Sequence, residues 1–178
     1  MKNKTILFQT KRLLIREFTL QDLDYIHEYA KQEEVVQFQN WGPNTIEDTQ
    51  AFLQNALDWI DKTPRLTHEL CIESKEHKIP IGGCGVFVEK NNAKEAKIGY
   101  ILNPLYWNKG YVTEAVKGLI PYAKTRIGVE VIRATCDTKN FASKRVVEKT
   151  GFVLEEILHN HFELKGRMRD SFLFKLEG

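Results

Sequence analysis

The stretch YILNPLYWNKGYVTEAV, residues 100–116, decides how this sequence is read. An apolar run, Tyr100 to Leu102, stops at Asn103-Pro104. Two aromatics, Asn108, Lys109 and a single Gly110 follow, and then a helix-like segment with Glu114 in its first turn. A helix start presents unpaired backbone N–H groups and a partial positive charge. It binds anions where the preceding loop lets a phosphate come close. Gly110 has no Cβ to block that approach, Lys109 adds a cation, and Thr113 adds a hydroxyl. Glu114 puts negative charge in the same turn, so its side chain has to point away. Locally the pattern is met equally well by a glycine that turns the chain and a glutamate that satisfies the helix dipole. The common phosphate motifs G-x-x-x-x-G-K-[ST] and G-x-G-x-x-G are absent.

Outward from this seam, the chain of 178 residues reads as one domain spanning residues 1–178, with no Pro/Gly/Ser linker, repeat or low-complexity tract. A formal net charge of +2 gives no field that favours nucleic acid or a membrane as partner. The first residues lack the apolar core of a signal peptide, and no run reaches the length of a membrane helix, so a cytoplasmic protein, monomer or homodimer, is expected. Cys71, Cys84 and Cys136 are odd in number, widely spaced and set in apolar runs. They read as reduced core thiols.

Residues 12–19 alternate like a strand, and 20–38 carry apolar residues near helical spacing. After a turn at 40–44, Thr45 caps a helix with Glu47 and Asp48 in its first turn. Three strand-like runs follow at 67–74, 79–89 and 96–102, separated by turn-like stretches. Beyond the helix after Gly110 come a strand at 129–137 and a short helix with Asn140 as cap and Gly151 beyond its end. Two long strands joined at Lys165-Gly166 close the sequence. The order βααβββαβαββ implies an α/β (α+β) fold: a mixed, mostly antiparallel sheet of seven strands with four helices. Pro121 sits well inside the helix after Gly110 and should remove a backbone bond and bend it.

The combination of GY-x-L-x-P-x-Y-W-x-K-G-Y-x-T-E-A with NFASKRVVEKTGF about thirty residues later resembles the GNAT N-acetyltransferase superfamily. Within it the sequence resembles the RimJ/RimL-type ribosomal-protein N-terminal acetyltransferases. TKRLLIREFTLQDLDYI, NWGPNTIEDTQAFL and PIGGCGVF are similar to other parts of that branch. The resemblance implies acetyl-CoA as cosubstrate, no metal, and an amine acceptor that is a protein N-terminus. A small amine such as an antibiotic or polyamine is the alternative acceptor, and a non-catalytic acyl-CoA-binding module of the same fold is the alternative class. It places Asn108, Lys109, Gly110, Tyr111, Val112 and Thr113 at the pyrophosphate. Asn108 stands where the branch usually has Gly, and Val112 where it usually has Ala. It makes 100–103 a strand splayed from its neighbour, with main-chain groups of Ile101 and Leu102 pairing with the pantetheine arm. An N–H there would polarise the acetyl carbonyl.

Direct transfer needs an uncharged amine, a polarised thioester and a proton for the departing thiolate, and no nucleophilic residue. Ser143 matches the Ser of the branch's N-x-x-S and would protonate the sulfur, although a polar residue in a first helical turn is ordinary. Asn140 would be both cap and cofactor contact. Trp41 and Tyr100 would line the acceptor cleft. The base is left open among Glu33, Glu34, His68, Glu69, Glu95 and a water. Lys144, Arg145 and Lys149 could meet a 3′-phosphate or form a solvated helix face. His159 and His161 share one strand face but lack a third ligand. KGRMR at 165–169 reads as an exposed hairpin turn.

Overall fold

A computed structural model describes residues 4–177. Eight strands form one sheet in the order β1-β2-β3-β4-β5-β6-β8-β7. They are β1 (Ile6–Gln9), β2 (Leu13–Glu17), β3 (Thr67–Ser74), β4 (Pro80–Glu89), β5 (Asn92–Leu102), β6 (Val131–Asp137), β7 (Val153–Leu164) and β8 (Arg167–Leu176). Every neighbour pair is antiparallel except β5 and β6. The expected mixed, mostly antiparallel α/β fold is therefore present, with one strand more than the seven expected. β1 is only four residues long, and it is defined by pairing with β2 rather than by any pattern of its own.

The helices are α1 (Leu23–Ala30), α2 (Glu33–Val36), α3 (Ile46–Ile60), α4 (Tyr111–Tyr122) and α5 (Phe141–Lys149). The single helix expected over 20–38 is broken because Gln32 takes an extended conformation, which separates α2 from α1. Thr45 caps α3 as expected, its hydroxyl accepting from the Asp48 amide at 3.2 Å. α4 runs through Pro121 and widens into a π turn at Ala123–Ile127, ending at left-handed Gly128. The helix continues past the proline without a break.

Alternation along β3 divides the core. Leu70 and Ile72 pack on the face covered by α4, with Ala115, Val116 and Leu119. Cys71 faces the other side, against α1 and α3, with Phe18, Ile26 and Leu53. All three cysteines are buried and free. The buried Arg16 donates to Glu73 at 2.7 Å and to both oxygens of Asp22 at 2.7 and 2.8 Å, which ties the start of α1 to the middle of the sheet. Among the described residues no helix is long and apolar enough to cross a membrane.

The feature that positions the site is the junction of β5 and β6. The two pair only at Glu95↔Val131, Ala96↔Ile132 and Lys97↔Arg133. Beyond Lys97, β5 runs on to Leu102 and β6 to Asp137 without pairing to each other. A parallel pair that stops bonding halfway leaves a V-shaped opening with a free strand edge on either side.

Candidate functional site

The loop after β5 is built by local chemistry. Asn103 Oδ1 accepts from the Leu105 amide at 3.1 Å, and Pro104 opens a 3-10 turn. The Trp107 indole donates to the Leu102 carbonyl at 2.8 Å, which folds the loop back on its strand. Asn108 (φ 59°) and Gly110 (φ 76°) are both left-handed. After glycine, asparagine adopts that conformation most readily, so Asn108 keeps the backbone path open to Gly. Val112 directs its side chain into the core and leaves only main chain at the start of α4. Thr113 sits with Thr10 and Lys117 in a shallow groove beside that first turn.

Glu114 does point away from the loop. Its carboxylate accepts from Thr10 Oγ1 at 2.6 Å, from the Arg12 amide at 2.7 Å and from Arg12 Nε at 2.6 Å. Burial raises its pKa, and these hydrogen bonds more than offset that, holding it below the usual carboxylate range. Arg12 Nη1 donates to the Lys109 carbonyl at 2.9 Å, and the guanidinium lies 4.2 Å over the Tyr111 ring. Arg12 is thus the brace of the whole loop, a role no local sequence signal announced. The Lys109 ammonium donates to the Leu105 carbonyl at 2.9 Å.

In the opening between β5 and β6 lies a cavity of about 240 Å³ lined by Ile98, Tyr100, Cys136, Asn140, Ser143 and Arg169 among others. The Asn103 amide donates to the Ile81 carbonyl, and Ile101 stands opposite Gly83. In an antiparallel ladder that phase turns the main-chain groups of residues 99, 101 and 103 toward β4. Those of Ile98, Tyr100 and Leu102 then face the opening. The expectation for Ile101 is corrected accordingly: its main chain belongs to the β4 ladder. Leu102 keeps its N–H free, while its carbonyl is taken by Trp107.

Ser143 and Tyr100 meet in this cavity, their hydroxyls 2.8 Å apart. Asn140 caps α5 by accepting from the Ser143 amide at 3.0 Å. Burial pushes the Tyr100 phenol up, against the lowering effect of its bond to Ser143, so it stays protonated. Burial likewise raises the Cys136 thiol. Tyr100, expected as a lining residue, is therefore a hydrogen-bond partner of the expected acid.

A second cavity of about 700 Å³ opens between the sheet, α1 and α3, with Trp41 among its walls. It shares Gln39, Asn40, Gly99 and Tyr100 with the first. On its floor is Glu69. Glu69 stands opposite Gly85, and Gly85 opposite Gly99, so one carboxylate and two glycines form a row across three strands. A Cβ on Gly85 would lie 2.7 Å from the Phe87 ring and 3.2 Å from Glu69 Oε2. The missing side chain is what lets the carboxyl lie along the sheet toward β5. Among the described residues no hydrogen bond or ion pair joins that carboxyl to the protein. Burial raises it from the usual 4.5 to about 7.

The other residues expected as bases lie elsewhere. Glu33 and Glu34 are exposed on α2. Glu95 is held by Arg133. His68 is buried on the opposite sheet face beside Tyr122, lowered by burial to about 4, and its Nδ1 has no partner among the described residues. KGRMR is an exposed hairpin turn at Lys165-Gly166, while residues 167–169 belong to β8. Lys165 and Gly166 are both left-handed, as a tight two-residue hairpin requires, and Lys165 Nζ donates to the Val36 carbonyl at 2.9 Å. Arg169 is buried beneath Phe162 and lines the smaller cavity. His159 and His161 flank left-handed Asn160 at an irregularity of β7, and they contact Asp170 and Ser171 respectively. Lys144 lies over Phe172 and near Glu148, while Arg145 and Lys149 are exposed on α5.

A mixed sheet that splays at a parallel strand pair, with a left-handed turn leading into a helix start beside the splay, defines a GNAT-type acyltransferase. The chain belongs to the GNAT acetyltransferase family: the family model described as "Acetyltransferase (GNAT) domain" matches residues 12–153. It is 31% identical over 173 residues to the uncharacterized N-acetyltransferase p20 of Bacillus licheniformis, covering 94% of this chain and 93% of that one. The fold superposes on RimL, a ribosomal L7/L12 alpha-N-protein acetyltransferase, with a TM-score of 0.86 at 18% identity over 98% of this chain and 95% of that one. It also superposes on the spermidine N-acetyltransferase of Vibrio cholerae, solved with CoA and spermine, with a TM-score of 0.80 at 18% identity over 94% and 96%.

Proposed function

We propose that the protein transfers acetyl from acetyl-CoA to the α-amine of a protein or peptide N-terminus, directly and within a complex of both substrates. Structures of this fold serve both protein and polyamine acceptors, so the fold alone does not choose. The observation that carries direct transfer is the meeting of the two cavities at Tyr100 and Gly99. A thioester laid along the free edge of β5 and an amine entering from the larger cavity converge there.

The residues divide the work. The free edge of β5 at Tyr100 and Leu102 suits the amide groups of a pantetheine arm, which would add as a short strand. Left-handed Asn108 and Gly110 and the first turn of α4 present main-chain N–H groups to a pyrophosphate. Lys109, Tyr111, Val112, Thr113 and Asn140 frame that end, and the basic side chains of α5 suit a 3′-phosphate. Glu69 takes the proton of the incoming ammonium through a water. The free amine then attacks the carbonyl carbon, the C–S bond breaks, and Ser143 protonates the sulfur while the amide nitrogen gives up its second proton through the Ser143–Tyr100 pair. Cys136, held as a thiol, takes no covalent part.

The test is calorimetric titration with acetyl-CoA, followed by coupled detection of free coenzyme A with N-terminal peptides and with spermidine. No binding at millimolar acetyl-CoA sinks the site. Turnover confined to spermidine sinks the N-terminal acceptor.

A further inference from the structure

Resting on that reading, we infer that the cavity over Glu69 selects N-termini whose first side chain is neutral and apolar. Glu69 receives the α-ammonium, and side-chain amides at the rim hold the peptide main chain.

Charge is the first ground. Among the described residues the cavity lining contains no Lys, Arg or His, and its only carboxylates are Glu69 and Asp48. Asp48 is already engaged by the Thr45 amide at 2.9 Å and the Thr45 hydroxyl at 3.0 Å. One free carboxylate matches one ammonium. A polyamine needs a series of them along its length. A nucleotide or an acidic first residue would bring negative charge into a cavity holding Glu69 and no cation, where desolvation magnifies the repulsion.

The second ground is the neutral polar groups. Gln39, Asn40, Asn44 and Asn55 line the cavity, and no hydrogen bond from their side chains to the protein occurs among the described residues. A carboxamide offers two donors and an acceptor, the complement of a peptide group. Four of them around one rim are placed for main-chain amides rather than for a charged tail.

The third ground is the wall. Phe18 and Phe52 pack edge to face with centroids 5.7 Å apart, and Phe87 and Trp41 continue the apolar surface. The volume, about 700 Å³, falls within the range of pockets that bury a drug-sized molecule, roughly 300–1,000 Å³. An aliphatic or aromatic first side chain fills this wall. An ammonium-bearing one meets only Asp48, whose carboxylate is already hydrogen-bonded to Thr45.

The experiment uses peptides identical after position 1, with Met, Leu or Phe there against Asp or Lys, and spermidine beside them. kcat/KM is measured at saturating acetyl-CoA. The apolar-first peptides should exceed the Asp-first and Lys-first peptides and spermidine by about tenfold or more. Equal or faster turnover of any of the latter three overturns the inference. Asn44→Ala and Asn55→Ala should raise the peptide KM several-fold and leave the KM for acetyl-CoA unchanged. An unmoved peptide KM in both variants overturns the role given to the amides. If no amine turns over, the proposed function fails, and equilibrium binding of the Leu-first peptide to the protein with coenzyme A still decides the inference: binding stronger than that of the Asp-first peptide upholds it, and no binding overturns it.

Discussion

Replacing Glu69 by glutamine should make the protein more stable above neutral pH while removing the proposed base. Burial raises the carboxyl from 4.5 to about 7. The groups packed near it, Tyr29 on α1, Cys84 on β4 and Tyr100 on β5, are themselves pushed up by burial and stay neutral across this range. Asp48 on α3 is tied to Thr45. An acid whose folded pKa is raised costs stability above that pKa and nothing well below its unfolded one. Between about 4.5 and about 7 the native state binds the extra proton, so stability falls as pH rises. At about 1.4 kcal/mol per tenfold change in proton affinity, the interval is worth about 3 kcal/mol. Water entering through the cavity mouth trims this to about 1–3 kcal/mol. Glutamine keeps the shape without the charge.

At pH 8 the variant should therefore gain about 1–3 kcal/mol, or roughly 3–10 °C in Tm for a chain of this length. At pH 5 the gain should shrink to about a quarter of that, because the folded carboxyl is then already protonated and only the partial ionisation of the unfolded chain still counts against folding. Scanning calorimetry at the two pH values reads the difference. In parallel, kcat/KM of the wild type should fall as pH drops through about 7, and the variant should be slow at every pH. A Tm gap that is the same at pH 5 and pH 8, or a variant that is less stable at pH 8, refutes the account of Glu69 as a desolvated, unpaired carboxyl.

Ser143→Ala and Tyr100→Phe should each lower kcat by about 10²-fold or more, with acetyl-CoA affinity nearly unchanged. Because the two hydroxyls form one pair, the double variant should be little worse than either single one, and multiplicative losses would separate their roles. Gly110→Asp should weaken acetyl-CoA binding at least tenfold. The left-handed backbone costs roughly 1–2 kcal/mol, but Arg12 Nη2, 3.7 Å from the new Cβ, can pair with the carboxylate and keep the protein folded; unchanged affinity would put the pyrophosphate elsewhere. Gly85→Val drives a side chain into Phe87 and Glu69. It should raise the amine KM at least tenfold while calorimetry shows normal acetyl-CoA binding, and loss of both would mean that the sheet, not the acceptor cavity, had failed.

What the sequence made legible is what short-range chemistry specifies. A lone glycine before a helix start, an asparagine cap three residues before a serine, and Lys165-Gly166 between two alternating runs each impose their geometry within a few residues. All of these are found in place. The brace of the loop after β5 was not legible, because Arg12 and Glu114 are 102 residues apart and each is unremarkable in its own segment. The position of β1 was hidden for the same reason. The exposed turn expected at 165–169 holds at Lys165-Gly166 but does not extend to Arg169, whose burial depends on Phe162 across the hairpin and on β6 beside it.

The choice of base shows the limit in its sharpest form. Five side chains were equal candidates in the sequence, and composition could not rank them. On the proposed function the sheet register ranks them, by setting Glu69, Gly85 and Gly99 in one row. Each glycine read alone weakens a strand. Together they clear a path along the sheet surface from a desolvated carboxyl toward the β5 edge left open by the splay. Glu95, two strands closer to that edge in sequence order, is neutralised by Arg133, and His68, the immediate neighbour of Glu69, is carried to the wrong face by the two-residue period. Proximity to the opening in the chain and freedom to act as a base therefore point to different residues, and the proposed role of Glu69 rests on the cross-strand row.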